Sequence, residues 1–154
     1  MTFVLDTGIL GRLCHPHVAQ HRELTEWLVE TLSRTPRVTR VVLPEIADYE
    51  LRRKLLHLIK KNSRAQQSLA RLDELTRILE YRPLTTATMR RAAMLWADAR
   101  HRGLPTAPPE ALDSDVILAA QTIEVGGTII TMNRKHLARF VPAVGWEEVA
   151  GGRL

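Results

Sequence analysis

The sequence predicts an α/β protein, a three-layer α/β/α sandwich with a mostly parallel central sheet, and three observations carry this reading. Short apolar or β-branched runs at residues 3–5, 38–43 and 128–131 read as buried strands. Longer stretches between them place apolar residues at helical spacing. Strand and helix alternate from one end of the chain to the other, the pattern of a parallel sheet covered on both faces.

Taken in order, Phe3-Val4-Leu5 is a strand that ends at Asp6-Thr7-Gly8. Residues 9–14 read as a short helix broken by His15-Pro16. Residues 18–32 are helical, with Leu24, Trp27, Leu28, Val29 and Leu32 on one face, and Pro36 ends that helix. After the strand at 38–43, Pro44 stands where a helix tolerates proline, in its first turn. That helix runs to Lys60 along a stripe of Ala47, Leu51, Leu55, Leu58 and Ile59. Asn62-Ser63 interrupts it, and a further helix covers 64–79. Residues 81–84 are expected to form a third strand, and 86–102 a helix ending at Gly103. Residues 103–109 hold three prolines and read as a loop. Asp113-Ser114-Asp115 is expected to open a helix through Glu124, closed by Gly126-Gly127. A strand at 128–131, a short helix and a last strand near 143–146 complete the chain.

With 154 residues and no internal repeat, low-complexity tract or linker, the chain reads as one domain (1–154). Its 45% hydrophobic and 25% charged residues are those of an ordinary globular protein. No apolar run approaches the ~20 residues that span a bilayer, so no membrane is expected. The N-terminus has neither the basic region nor the apolar stretch of a signal peptide. One cysteine, Cys14, excludes an internal disulfide framework and suits a reducing compartment, so a cytoplasmic location is expected. The net charge is +5, from 22 basic and 17 acidic residues. The basic residues cluster between Arg34 and Arg64, at Arg100-His101-Arg102, and at Arg134-Lys135-His136 with Arg139. Such clusters suit a polyanion, or simply solvated helix faces.

In open parallel sheets, ligands bind beyond the carboxyl ends of the strands. Asp6 lies just past the first strand, Glu50 in the helix after the second, and Asn133 two residues past 128–131. Asp115, with Asp113 beside it, lies at the start of the helix leading into that strand. These oxygen donors suit Mg²⁺ or Mn²⁺, which take carboxylates and water. At ~100° per residue from Leu51, Glu50 falls near about −100° and Glu45 near about +120°, on opposite shoulders of the apolar stripe. Both cannot face one site, and geometry leaves them tied. Asp48, near about +60°, lies over the core-facing stripe and pairs with Arg52 at i+4, as Glu50 can with Lys54.

Four segments occur together in order: Val4-Leu5-Asp6-Thr7, Tyr49-Glu50-Leu51-Arg52, Asp115-Val116-Ile117-Leu118-Ala119-Ala120, and Ile130-Thr131-Met132-Asn133 followed by His136-Leu137. In order and spacing they resemble the PIN domain, and most nearly PIN-type ribonucleases such as the VapC toxins of type II toxin–antitoxin pairs. The resemblance implies Mg²⁺- or Mn²⁺-dependent cleavage of single-stranded or structured RNA, usually by a homodimer, with an antitoxin as protein partner. It implies Asp6, Glu50 and Asp115 as the family's first three acids, with Asp113 assisting and Thr7 as the hydroxyl beside the first. The fourth position, often Asp, corresponds to Asn133, whose neutral carbonyl binds metal more weakly. The segment 54–79 and Pro44-Glu45-Ile46-Ala47-Asp48 also depart from the commonest toxin pattern.

Two other classes compete. A PIN-like protein without catalysis, serving as an RNA-binding or assembly module, is compatible with Asn133. A dehalogenase-type phosphatase also opens with a strand ending in Asp, but needs a second Asp two residues on, where this chain has Gly8. Cys14, His15, His17 and His21 match no structural zinc spacing well. Trp27, Trp96 and Trp146 fall in or beside apolar patterns and read as core. No Gly-rich phosphate loop is present.

Overall fold

A computed structural model describes residues 1–34, 38–103 and 109–150; Pro36, Arg37 and positions 104–108 of the proline-containing stretch lie outside them. The chain runs through β1 (Thr2–Leu5), α1 (Thr7–Leu13), a 3-10 turn (Val18–His21), α2 (Arg22–Ser33) and β2 (Arg40–Pro44). It continues as α3 (Glu45–Ile59), α4 (Ser63–Ile78), β3 (Glu80–Arg82) and α5 (Thr86–His101). The last part is α6 (Pro109–Val125), β4 (Thr128–Thr131), α7 (Arg134–Leu137), β5 (Ala143–Gly145) and α8 (Trp146–Ala150).

The five strands form one sheet in the order β3-β2-β1-β4-β5, and every pairing is parallel. The chain builds outward from β1 in one direction and then restarts on its other side with β4. The switch point therefore lies between β1 and β4, where open sheets form their crevice.

Side chains alternate across the strands, so each face has its own core. Phe3, Leu5, Val41, Leu43 and Ile130 pack on one side with α1, α2, α3, α4 and α8. Val4, Val42 and Ile129 pack on the other with Leu118 and Ala119 of α6 and Leu137 of α7. Trp27 and Trp146 belong to the first core as expected, with ring centroids 5.7 Å apart, and Phe3 lies 6.0 Å from Trp27. The α6–β4 turn needs its glycines. Gly126 has φ +59°, and a Cβ on Gly127 would stand 2.9 Å from Val4 Cγ2.

Besides shifts of about two residues at the ends of α1, β2 and β3, three further elements differ from the sequence reading. The helix expected over 18–32 starts as a 3-10 turn and becomes α-helical only at Arg22. A short helix, α8, follows β5 where no further element is expected. Most consequential for the site, α6 begins at Pro109, not at Asp113. Proline is well suited to the first helical turn, so Pro109 opens the helix instead of prolonging the loop.

One buried amide ties the second layer together. Gln121 on α6 accepts from Ile46 N at 3.2 Å and donates to Arg82 O at 2.6 Å. It links α6 to the first turn of α3 and to the end of β3.

Candidate active site

Asp6 leaves the end of β1 at the switch point, its backbone N–H donating to Ile130 O at 3.1 Å. It occupies the N-cap of α1, where the amides of Thr7 and Gly8 lie near its carboxylate without forming a full capping bond. Its full hydrogen bond comes from Thr131, at the end of β4, whose hydroxyl donates to Asp6 Oδ2 at 2.6 Å. Burial pushes Asp6 above its ordinary carboxylate range and the charge of Glu50 adds to this, while the Thr131 hydroxyl and the amides of Thr7 and Gly8 pull it down.

Glu50 is held by two hydroxyls. Thr7 donates to Oε2 at 2.6 Å and Ser114 to Oε1 at 2.5 Å. The i+4 ion pair with Lys54 gives way to these bonds, and Arg53 stands 3.9 Å from Oε1. Glu45, on the other shoulder of α3, accepts from Leu84 N and braces the chain after β3. The geometric tie is thus broken by neighbours that the helix angle does not contain: one shoulder faces α1 and α6, the other faces β3.

Asp115, in the second turn of α6, is pushed up to about 6. Burial is the main cause, and the charges of Asp6 and Glu50 add to it, while His136 and Arg139 oppose it. Three carboxylates from distant segments thus share one electrostatic neighbourhood. A hydroxyl donor keeps a carboxylate in place without neutralising it, so the negative charge persists.

Asp113 is not brought to this cluster. Inside a helix, residues two apart point about 200° from one another. Asp113 is exposed and lines a cavity of about 340 Å³ with Met89, Trp96 and Val116, on the α5 side of α6. Asn133 reaches the rim through its backbone, its N–H donating to Thr131 Oγ1 at 2.9 Å. Its side chain is exposed and makes no capping bond at the start of α7. Among the described residues, no three His, Cys, Asp or Glu side chains converge closely enough to form a ready-made metal cage. Asp48 lies in the core as expected, bonded to Arg52 Nε at 2.9 Å and to the Tyr81 hydroxyl at 3.0 Å.

The sequence reading misses Thr131 and Ser114. A hydroxyl at the last position of an otherwise apolar buried strand, and a serine between two aspartates, are the signals that point to them. His136 appears there in a basic cluster and in the last of the four matching segments, and Arg139 only in the basic cluster.

The model of one domain family, the PIN domain, matches residues 3–141 of the chain. The chain belongs to the PIN domain family. Solved structures similar to this PIN domain include VapBC2 from Rickettsia felis, bound to a DNA fragment from its promoter. That likeness has 19% identity and a TM-score of 0.69, covering 95% of this chain and 99% of the other. VapBC-1 from nontypeable Haemophilus influenzae is similar at 18% identity and a TM-score of 0.68, covering 96% and 99%. A toxin–antitoxin complex from Klebsiella pneumoniae is similar at 17% identity and a TM-score of 0.56, covering 92% and 94%. These likenesses establish the α/β fold of this PIN domain, with the sheet all parallel where a mostly parallel one is expected. No curated protein matches its sequence. Among the described residues, no helix is long and apolar enough to cross a membrane.

Proposed function

We propose that this PIN domain is a divalent-metal-dependent endoribonuclease that hydrolyses RNA phosphodiester bonds, and that it is the toxin of a toxin–antitoxin pair. One observation carries the reading: the charges of Asp6, Glu50 and Asp115, from three distant segments, act on one another beside the end of β1, with Asp6 and Glu50 held by hydroxyls. Their mutual repulsion is the condition that a cation relieves.

The donor set fits Mg²⁺ or Mn²⁺. Such ions keep several waters and take one or two protein carboxylates, so they need no closed protein cage. Asp6, Glu50 and Asp115 would hold the ion, which supplies an acidified water and offsets phosphate charge. Thr131, Thr7 and Ser114 orient the carboxylates, and Asn133 offers a neutral amide at the rim for a phosphate oxygen or a water. The VapBC and toxin–antitoxin neighbours support a cognate antitoxin as partner. A homodimer and a cytoplasmic location complete the reading, the latter in keeping with the single, buried, free Cys14.

A second reading, an RNA-binding or assembly module without catalysis, is favoured by Asn133 in the place of an acid. Incubating purified protein and its Asp6→Asn variant with a mixed RNA pool, in Mn²⁺ or in EDTA, decides between them. The nuclease cuts only as wild type with metal. Metal-dependent cutting that survives in the variant overturns the site, and no cutting with any divalent ion leaves the binding module.

A further inference from the structure

Beside the carboxylates lies a second cavity, of about 480 Å³, within the range of ordinary ligand pockets. Thr7 and Gly8 line its edge, so it is continuous with the segment that carries Asp6 and bonds Glu50. Its other polar walls are Arg12 and the imidazoles of His15, His17 and His21 on one side, with Lys54, Asn62, Arg64 and Ser68 on the other, over an apolar floor that includes Leu51, Leu55 and Leu58. Among the described residues, no Asp or Glu lines it, in a chain with 17 of them. None of the ion pairs formed among the described residues involves Arg12, Lys54 or Arg64.

The imidazoles form a cluster, His15 lying 5.4 Å from His17 and 5.3 Å from His21 between ring centroids. Arg71 of α4 donates to the carbonyl of His15 and fixes the loop that carries it. Burial holds His21 below its ordinary value, with the charges of Arg12 and His15 adding to this. An imidazole ring offers a flat face on which a base can stack. Unpaired cations spaced around ring faces are the elements that bind single-stranded nucleic acid: phosphates meet the cations and bases stack on the rings.

We propose that this groove binds the single-stranded RNA flanking the cleaved bond, with Arg12, Lys54 and Arg64 on its phosphates and the histidine cluster stacking on its bases. The proposal rests on the nuclease reading of the neighbouring carboxylates, and names where their substrate lies.

The test measures binding in EDTA, where cleavage is absent. Wild-type protein is titrated into a fluorescein-labelled single-stranded RNA about a dozen nucleotides long, across a range of salt. The Arg12→Ala/Lys54→Ala/Arg64→Ala variant is expected to bind about tenfold more weakly, with a salt slope smaller by about 2, as three lost phosphate contacts on a single strand imply. A His15→Ala/His17→Ala variant is expected to lose affinity with a smaller change in slope than the cation triple. A control triple, Arg77→Ala/Arg90→Ala/Arg100→Ala, removes equal charge elsewhere and is expected to leave both nearly unchanged. Equal weakening in the control, or an unaltered slope in the groove variant, overturns the proposal. Loss of poly-glutamate binding with RNA affinity intact assigns the groove to an acidic protein segment and overturns it as well. If the groove variant binds RNA as wild type does while wild type still cuts RNA with Mn²⁺, only the groove is refuted. If wild type neither binds nor cuts RNA, the nuclease reading falls too.

Discussion

The hydroxyl of Thr131 donates to Asp6 Oδ2 at 2.6 Å and accepts from the backbone N–H of Asn133 at 2.9 Å, joining the ends of β1 and β4 through one atom. Thr131→Val keeps the shape and removes both bonds. The expected result is roughly tenfold slower RNA cleavage with a stability loss of about 2 kcal/mol, from two hydrogen bonds at about 1 kcal/mol each. Cleavage rate and thermal melting of the same preparation check it; an unchanged rate refutes the positioning role.

Asp115 provides a pH signature in the metal-free protein. Its folded value of about 6 stands above its ordinary 3.8, so between these values the folded chain holds a proton that the unfolded chain releases. Stability therefore falls as pH rises through this window and stays lower above it. At a half-buried site we take the effect as about 1 kcal/mol after solvent screening. Asp115→Asn is expected to raise the melting temperature by roughly 2–4 °C at pH 7.5 in EDTA, with little change at pH 4. The same variant is expected to lose the stabilisation that Mn²⁺ gives wild type. A fall in melting temperature at pH 7.5 contradicts the repulsion argument.

Glu50 and Glu45 separate chemistry from bracing on one helix. Glu50→Gln is expected to abolish detectable cleavage with little effect on melting. Glu45→Gln weakens the bond to Leu84 N, lowering stability by about 1 kcal/mol while cleavage stays within about threefold of wild type. Parallel rate and melting measurements distinguish the two, and the reverse pattern exchanges their roles.

Asp113→Ala is expected to leave cleavage within about twofold, because the side chain faces the α5 side of α6. A large loss in a steady-state RNA assay would restore Asp113 to the site.

The order of strands and helices is legible because each strand is a short apolar run between turn-forming residues, and each long helix carries its own stripe. The α6 start is misread for a local reason: the same prolines that mark a loop also open helices, and 113–115 resembles a capping sequence. That shift of four residues decides the fate of Asp113, which a capping turn can bring beside Asp115 and a helix cannot. Glu50 is undecided by helix angle because the choice depends on α1 and α6, which stand far away in sequence. Thr131 and Ser114 are hidden for the same reason: a hydroxyl's partner is set by tertiary contact and leaves no periodic trace.

Gln121 is exposed to neither solvent nor the carboxylates, yet its amide holds α6 to the first turn of α3, the two helices that carry Asp115 and Glu50. Gln121→Leu leaves Ile46 N and Arg82 O without their partner, and is therefore expected to lower stability by about 2 kcal/mol and to slow RNA cleavage in a protein that keeps every acid, as melting and rate measurements on one preparation would show. A survey that equates phenotype with contact would score this position as part of the reaction centre, when what it supplies is the calibration of a distance.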